Sequence, residues 1–402
     1  VYYVLSRSLG LPIGGAIGLT LFVGTALSIA LYLVGFAESF NAFLGLSTDI
    51  NGMRSTGSLF LFLLMVLAFI STSVAIKTQF FILAAIVASL VVIFMGGSPA
   101  EAAIPETLVS ETVPMETVFA IFFPAVTGFT AGIAMSGDLA DPKRDIPAGT
   151  IAAIIVGFLV YLALAIFLYS KVDLEVLRSD YNILRKISIW GPAVIAGIWG
   201  ATLSSAIGGI LGAPRILQAM SLDRITPRIF AKGAGAANEP RNGLILTILI
   251  AEGGILIGEL DLIARIVSMF YLAAYGFINI AFFLESWASS DFKPSFRVSK
   301  WIGLVGFMAT FAVMFKLDML AMVAALVVIG GVFLWLQRRQ VSLGTGDVWQ
   351  SVWSTVVKSG LKRMEVTEDH KRNWKPNIML FSGSSEQRPH LIEFGKTLAG
   401  QV

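Results

Sequence analysis

The sequence predicts an all-α, polytopic membrane protein, and three observations carry that expectation. Of 402 residues, 56% are apolar and only 14% charged, where an ordinary soluble chain has about a quarter charged. The charges are segregated: residues 8–37, 146–170 and 187–214 hold no charged side chain at all. About 20 apolar residues cross a bilayer core, so each of these stretches is long enough, and none has the polar face a water-exposed helix needs.

Hydropathy broken by charged interruptions gives ten expected spans, at 12–37, 57–76, 79–97, 116–137, 147–170, 191–217, 242–259, 263–285, 301–316 and 319–337. Lys316-Leu317-Asp318 separates the last two and reads as a tight helical hairpin. Basic residues in the connections orient the set. With the first end cytoplasmic, the inner segments carry Arg7, Lys77, Lys143, Arg144, Arg224, Arg228, Lys232, Arg241, Lys293, Arg297, Lys300, Arg338 and Arg339. The outer ones carry Arg54, Lys171, Arg178, Arg185, Lys186 and Lys316. Thirteen against six places both ends of the chain in the cytoplasm by the positive-inside rule. Glu101, Glu106 and Glu111, with no basic residue between 98 and 115, agree; the 171–186 connection runs the other way.

Residues 340–402 are polar and mixed in character, so the membrane domain is expected over 1–339 and a cytoplasmic domain begins after it. Val348, Val352, Val356 and Leu361 make 347–364 an amphipathic helix, 377–383 reads as a short strand and 389–399 as a helix. Together they resemble the start of an α/β domain.

The fourth span, METVFAIFFPAVTGFTAGIAMSGDLADPKRDIP, differs from the others. Pro124 removes a backbone donor and disrupts the preceding turn. Thr127, Gly128, Thr130 and Gly132 follow it, and glycine tolerates unwound backbone. Irregular backbone at membrane depth is stable only where it is buried in protein or lines a cavity. A half-helix ending near Pro124 offers carbonyls suited to a cation. One starting near Gly128 offers N–H groups suited to an anion. The competing reading is a plain proline kink with Gly128-x-x-x-Gly132 packed on a neighbour.

Several segments resemble the cation-chloride cotransporter family of sodium/potassium-chloride symporters, within the amino acid-polyamine-organocation superfamily. They are VYYVLSRSLG (1–10) with ALYLVGFAESF (30–40), FAIFFPAVTGFTAGIAMSGDLADPKRDIPAGT (119–150), GIWGATLSSAIGGILGAPRILQAMSLDRITP (197–227), NEPRNGLILTILIAEGGILIGELDLIARIVSMFYLAAYGFIN (238–279) and RNWKPNIML (372–380), in family order. The resemblance implies an inverted-repeat transporter fold of twelve helices followed by a cytoplasmic domain. On that alignment the chain starts at the third helix, lacks the first two transmembrane helices and holds part of the transport site.

Carried over position by position, the resemblance implies a potassium site at Tyr32, Pro124 and Thr127. It implies a chloride site at the amides of Gly128, Phe129 and Thr130 with the Tyr275 phenol. A phenol donates to a halide without the desolvation cost of a charge. It also implies a sodium site at Ala201, Ser204 and Ser205, where two hydroxyls and a carbonyl supply the hard oxygens a small cation needs. Read alone, Tyr32 and Tyr275 are packing or interface tyrosines, and the small residues at 201–205 allow close helix packing. GAPRILQAM and LDLIARIVSMFYL look closer to the potassium-chloride members, and Arg265 stands where the family often has proline.

The remaining features are weighed more simply. Asp138, Asp141, Lys143, Arg144 and Asp145 read as a solvated loop. Glu252, in an apolar span, is costly in lipid and must face protein or water. His370 and His390 have no ligand-like partners, so no transition-metal site is expected. There is no cysteine, hence no disulfide. No nucleotide-binding loop, nucleophile elbow or catalytic carboxylate pair occurs, so an enzyme is not expected. The function expected is therefore secondary active symport of chloride with sodium and/or potassium, with these ions as cargo and no cofactor. An amino-acid permease of the same fold is the alternative, and a non-transporting regulatory subunit a third reading. The expected partners are the bilayer, inorganic ions and, by resemblance, a second copy in a homodimer, with no nucleic acid.

Overall fold

The computed structural model describes residues 1–70, 72–97, 114–128, 133, 139–179, 182–235, 238–289, 292–294, 298–339, 348–366 and 389–399. Fifteen helices can be followed there: α1 Tyr2–Ser8, α2 Leu11–Leu44, α3 Ile50–Ile70, α4 Thr72–Phe94, α5 Met115–Phe122, α6 Pro142–Lys171, α7 Leu174–Ser179, α8 Ile183–Ile187, α9 Gly191–Leu222, α10 Arg241–Ile257, α11 Leu260–Ala288, α12 Lys300–Leu317, α13 Met319–Arg338, α14 Val348–Val366 and α15 Pro389–Ala399. Short 3-10 turns lie at Phe123–Val126 and Arg228–Phe230. Among the described residues seven helices are long and apolar enough to cross a membrane, and Thr78–Phe94 is a shorter apolar one. No strand occurs among them beyond an isolated bridge between Ala234 and Glu239. This is the all-α polytopic architecture expected. The strand expected at 377–383 lies outside the described residues. Two compact units divide at Val348/Trp349, with α15 in the second.

α2 is the central element of the first unit. Its 34 residues extend about 50 Å at 1.5 Å per residue. Helices α1, α3, α9, α10, α11 and α13 all pack against it. Ile29, Ala30, Leu33 and Val34 of α2 form a core with Leu61 and Leu64 of α3, Ile207 and Ile210 of α9, and Ala251 and Ile255 of α10. Small residues let the backbones close in, as membrane helices require. A Cβ on Gly209 would sit 2.7 Å from Ile29, and one on Gly254 2.6 Å from Ala30. The opposite case is α6, none of whose side chains is buried, although it is the most apolar span; bilayer hydrocarbon accepts such a surface without penalty.

Several boundaries differ from expectation, among them the end of α2 at Leu44 where 37 was expected. The second and third spans meet near residue 71, and α3 begins at Ile50, seven residues before the expected 57. Ser71-Thr72-Ser73 is polar but carries no charge, so charged interruptions place the boundary at Lys77 instead. Lys77 therefore belongs to α4 and Arg54 to α3, where Arg54 donates to the Ile257 carbonyl at 3.1 Å and satisfies the open end of α10. Of the solvated loop expected at Asp138, Asp141, Lys143, Arg144 and Asp145, Asp138 lies outside the described residues, Asp141 is the N-cap of α6, and the other three are exposed on its first turns, with Pro142 opening the helix. The Asp145 carboxylate accepts from the Asp141 N–H at 3.3 Å. The hairpin at Lys316-Leu317-Asp318 is present, with Asp318 capping α13 through the Ala321 N–H at 2.9 Å.

Candidate functional site

The fourth span is interrupted where its sequence says it should be. Regular helix ends at Phe122, a 3-10 turn occupies Phe123–Val126, and Thr127 and Gly128 are not helical. Pro124 has no N–H, so the Ala120 carbonyl four residues back has no donor there. Gly128 has φ +98°, and a Cβ added to it would meet nothing within 4 Å. Glycine is needed there for its backbone conformation, not for space. Phe129, Thr130 and Gly132 lie outside the described residues.

Other helices hold this turn. The Tyr32 side chain on α2 interacts with the Thr127 side chain, and the hydroxyls of Tyr271 and Tyr161 lie within electrostatic reach of Tyr32. Tyr161, on α6, donates to the Ala125 carbonyl at 2.9 Å, with its ring edge-on to Phe122 at 5.4 Å. α11 packs on both α5 and the 3-10 turn. On α11 the rings of Tyr271 and Tyr275 stack at 6.0 Å, and the Tyr271 hydroxyl donates to Thr25 Oγ1 at 3.4 Å. The Tyr275 hydroxyl is buried. Two of the three expected potassium residues, Tyr32 and Thr127, thus stand near each other, and Pro124 is in the same turn. Tyr161 was not foreseen: its partner is 36 residues away, and no local pattern marks a tyrosine in a charge-free span.

A second cluster lies where α9 packs on α4. The Ser205 hydroxyl donates to the Ala201 carbonyl at 2.9 Å, so these two expected sodium-site oxygens are adjacent. The Ser204 hydroxyl instead leaves its own helix and donates to the Gln79 amide oxygen. The Gln79 amide nitrogen donates to the Ser204 carbonyl at 3.3 Å. Gln79 too was absent from the sequence reading.

Glu252 and Asp223 both have partners. Glu252 accepts from the Ser58 hydroxyl at 2.6 Å, which gives the protein-facing environment its depth demands. At the end of α9, Asp223 takes both Arg7 guanidinium nitrogens, at 2.7 and 3.0 Å, and the Tyr2 hydroxyl. Burial pushes the Asp223 carboxyl up. The hydrogen bonds from Arg7 and then Tyr2 outweigh that and hold it below the usual carboxylate range. Among the described residues no group of three or more His, Cys, Asp or Glu could hold a metal ion.

Comparison with known proteins adds a family. The profile described as amino acid permease matches residues 1–379. Solute carrier family 12 member 2 of Mus musculus is 32% identical, over 97% of this chain and 38% of its own length. The bumetanide-sensitive sodium-(potassium)-chloride cotransporter of Manduca sexta is 28% identical, over 99% of this chain and 44% of its own. Solute carrier family 12 member 1 of Homo sapiens is 31% identical, over 98% and 41%. The chain spans about two-fifths of the length of these curated relatives.

Proposed function

We propose that this chain, which belongs to the amino acid permease family and within it to the cation-chloride cotransporters, works as a secondary active symporter that couples chloride to sodium and/or potassium by alternating access. The observation that carries the reading is the interrupted span tied to α2 and α6: helix ends at Phe122, Thr127 meets Tyr32, and the Ala125 carbonyl meets Tyr161. Broken helices with half-helix ends near the bilayer midplane are where secondary transporters place ions.

The chemistry divides by polarity. Potassium is taken by oxygens, from the Tyr32 and Thr127 hydroxyls and the Pro124 carbonyl, at the negative end of α5. Chloride is taken by the N–H groups of Gly128, Phe129 and Thr130 with the phenol of Tyr275. Neither half needs a side-chain charge, so the ions neutralise each other across one turn. Sodium is taken by the Ala201 carbonyl and the hydroxyls of Ser204 and Ser205. The ions are cargo, and gradients rather than a cofactor supply the work.

Both chain ends are cytoplasmic in this proposal. The excess of basic residues in the expected inner segments, thirteen against six, supports this orientation. Assembly as a homodimer belongs to the proposal through the family resemblance. The test is ion substitution with the full-length protein in proteoliposomes. Labelled chloride uptake should require an alkali cation on the same side and be indifferent to amino acids. Amino-acid uptake without chloride dependence would instead establish the permease alternative.

A further inference from the structure

The seam between α4 and α9 brings Gln79 onto the serine pair, and its construction is specific. Gly197 lies over Ser89 so closely that a Cβ would stand 2.2 Å from the Ser89 hydroxyl oxygen. Gly200 lies over Ile82, at 3.1 Å by the same measure. Stepping down α4 from Ser89 to Ile82 to Gln79 matches stepping up α9 from Gly197 to Gly200 to Ser204, so the helices run antiparallel in a fixed register. Small residues on α9 let the backbones approach, and that approach makes the reciprocal Gln79–Ser204 pair possible.

The two serines place their protons differently. Ser205 donates back to Ala201, the usual habit of a helical serine. Ser204 donates away from its helix to Gln79. A hydroxyl that binds an alkali cation turns a lone pair to the ion, so its proton needs an acceptor elsewhere. An unmatched O–H in apolar surroundings is costly, and the Gln79 amide oxygen removes that cost while leaving the Ser204 oxygen free for a cation. The Gln79 amide N–H group fixes the pair further by holding the carbonyl of the same residue.

We propose that Gln79 is a positioning residue of the sodium site: it accepts the Ser204 proton, aims the Ser204 hydroxyl oxygen at the cation, and so sets the affinity for sodium separately from that for potassium. This rests on the sodium assignment made above for Ala201, Ser204 and Ser205. Glutamine suits the task because it accepts and donates at once without adding a charge at membrane depth.

The test uses the full-length protein and chloride-dependent rubidium uptake, titrated with sodium, rubidium and chloride in turn and normalised to protein at the surface. Gln79→Leu should raise the half-saturating sodium concentration about three- to tenfold, the worth of one hydrogen bond, with the rubidium value unchanged. Gln79→Glu, which keeps an acceptor oxygen, should hold the sodium value at or below the parent's. In a Ser204→Ala background, Gln79→Leu should add nothing, because the group it positions is gone. Equal shifts for sodium and rubidium in Gln79→Leu, or a full additional effect on Ser204→Ala, would overturn the proposal. Uptake by the parent that ignores sodium overturns the sodium assignment itself, before any variant is compared.

Discussion

Removal of one oxygen, in Tyr161→Phe, probes the interrupted span where it is most directly held. The phenol donates to the Ala125 carbonyl at 2.9 Å, inside the turn that follows Phe122, while its ring packs edge-on to Phe122 at 5.4 Å. Phenylalanine keeps that ring contact and removes only the hydrogen bond. Interhelical hydrogen bonds in membrane proteins average about 0.6 kcal/mol and reach about 1.7. At about 1.4 kcal/mol per tenfold, the turn loses its binding geometry by a factor of about 3 to 15. Because the proposal puts both the potassium oxygens and the start of the chloride amides in this turn, half-saturating concentrations for rubidium and chloride should rise together. The sodium value, assigned in the proposal to the α4–α9 seam, should move less. The assay is labelled rubidium uptake by the full-length protein with each ion titrated alone and surface protein quantified. Unchanged rubidium and chloride constants at normal surface levels would refute the reasoning, since the Ala125 contact would then not shape the site.

Three other outcomes are expected. Tyr32→Phe and Thr127→Val should each weaken rubidium activation. The double variant should fall short of the product of the two, because the two side chains interact; full multiplicativity in the same uptake assay would separate them. Gly128→Ala places a Cβ at φ +98°, at a cost of about 1–2 kcal/mol, so half-saturating chloride should rise about 5- to 30-fold; a superimposable chloride curve would show that this conformation is not used. Asp223 has a depressed pKa, so its tie to Arg7 is complete above the usual carboxylate range and is lost as pH falls through that lowered value. Arg7 is 41% exposed, which limits the tie to about 1 kcal/mol. Thermal unfolding in detergent should therefore show an Asp223→Asn deficit that is constant at neutral and mildly acidic pH; a deficit that disappears at mildly acidic pH would contradict the assignment.

What the sequence made legible follows from the range of each interaction. Hydropathy located the spans because bilayer thickness acts on each helix separately. The break was readable because Pro124 and Gly128 impose their backbone chemistry locally. The division between α3 and α4 was not readable from charge, since Ser71-Thr72-Ser73 is polar but uncharged and the first charged residue is Lys77. Arg54 looked like a loop residue because a charge usually ends a span. In the fold it sits near the start of α3 and serves the last carbonyls of a helix 203 positions away in sequence. The Ala201–Ser205 pair is an intrahelical contact and could be foreseen. Gln79 and Tyr161 could not: their partners lie 125 and 36 positions away, and only the packing of α4 on α9, and of α6 on the broken span, brings them to the site. Glu252 shows an intermediate case, where the cost of a carboxylate in lipid dictated a partner and the structure identified it as Ser58.

The most direct test is anomalous diffraction from crystals of the full-length protein grown with rubidium and bromide in place of potassium and chloride. A rubidium peak is expected among the oxygens of Tyr32, Pro124 and Thr127. A bromide peak should stand beside it, against the backbone nitrogens that begin at Gly128. A helix running unbroken from Met115 past Gly128, with neither ion beside it, would contradict the claim that the interrupted span is the ion site.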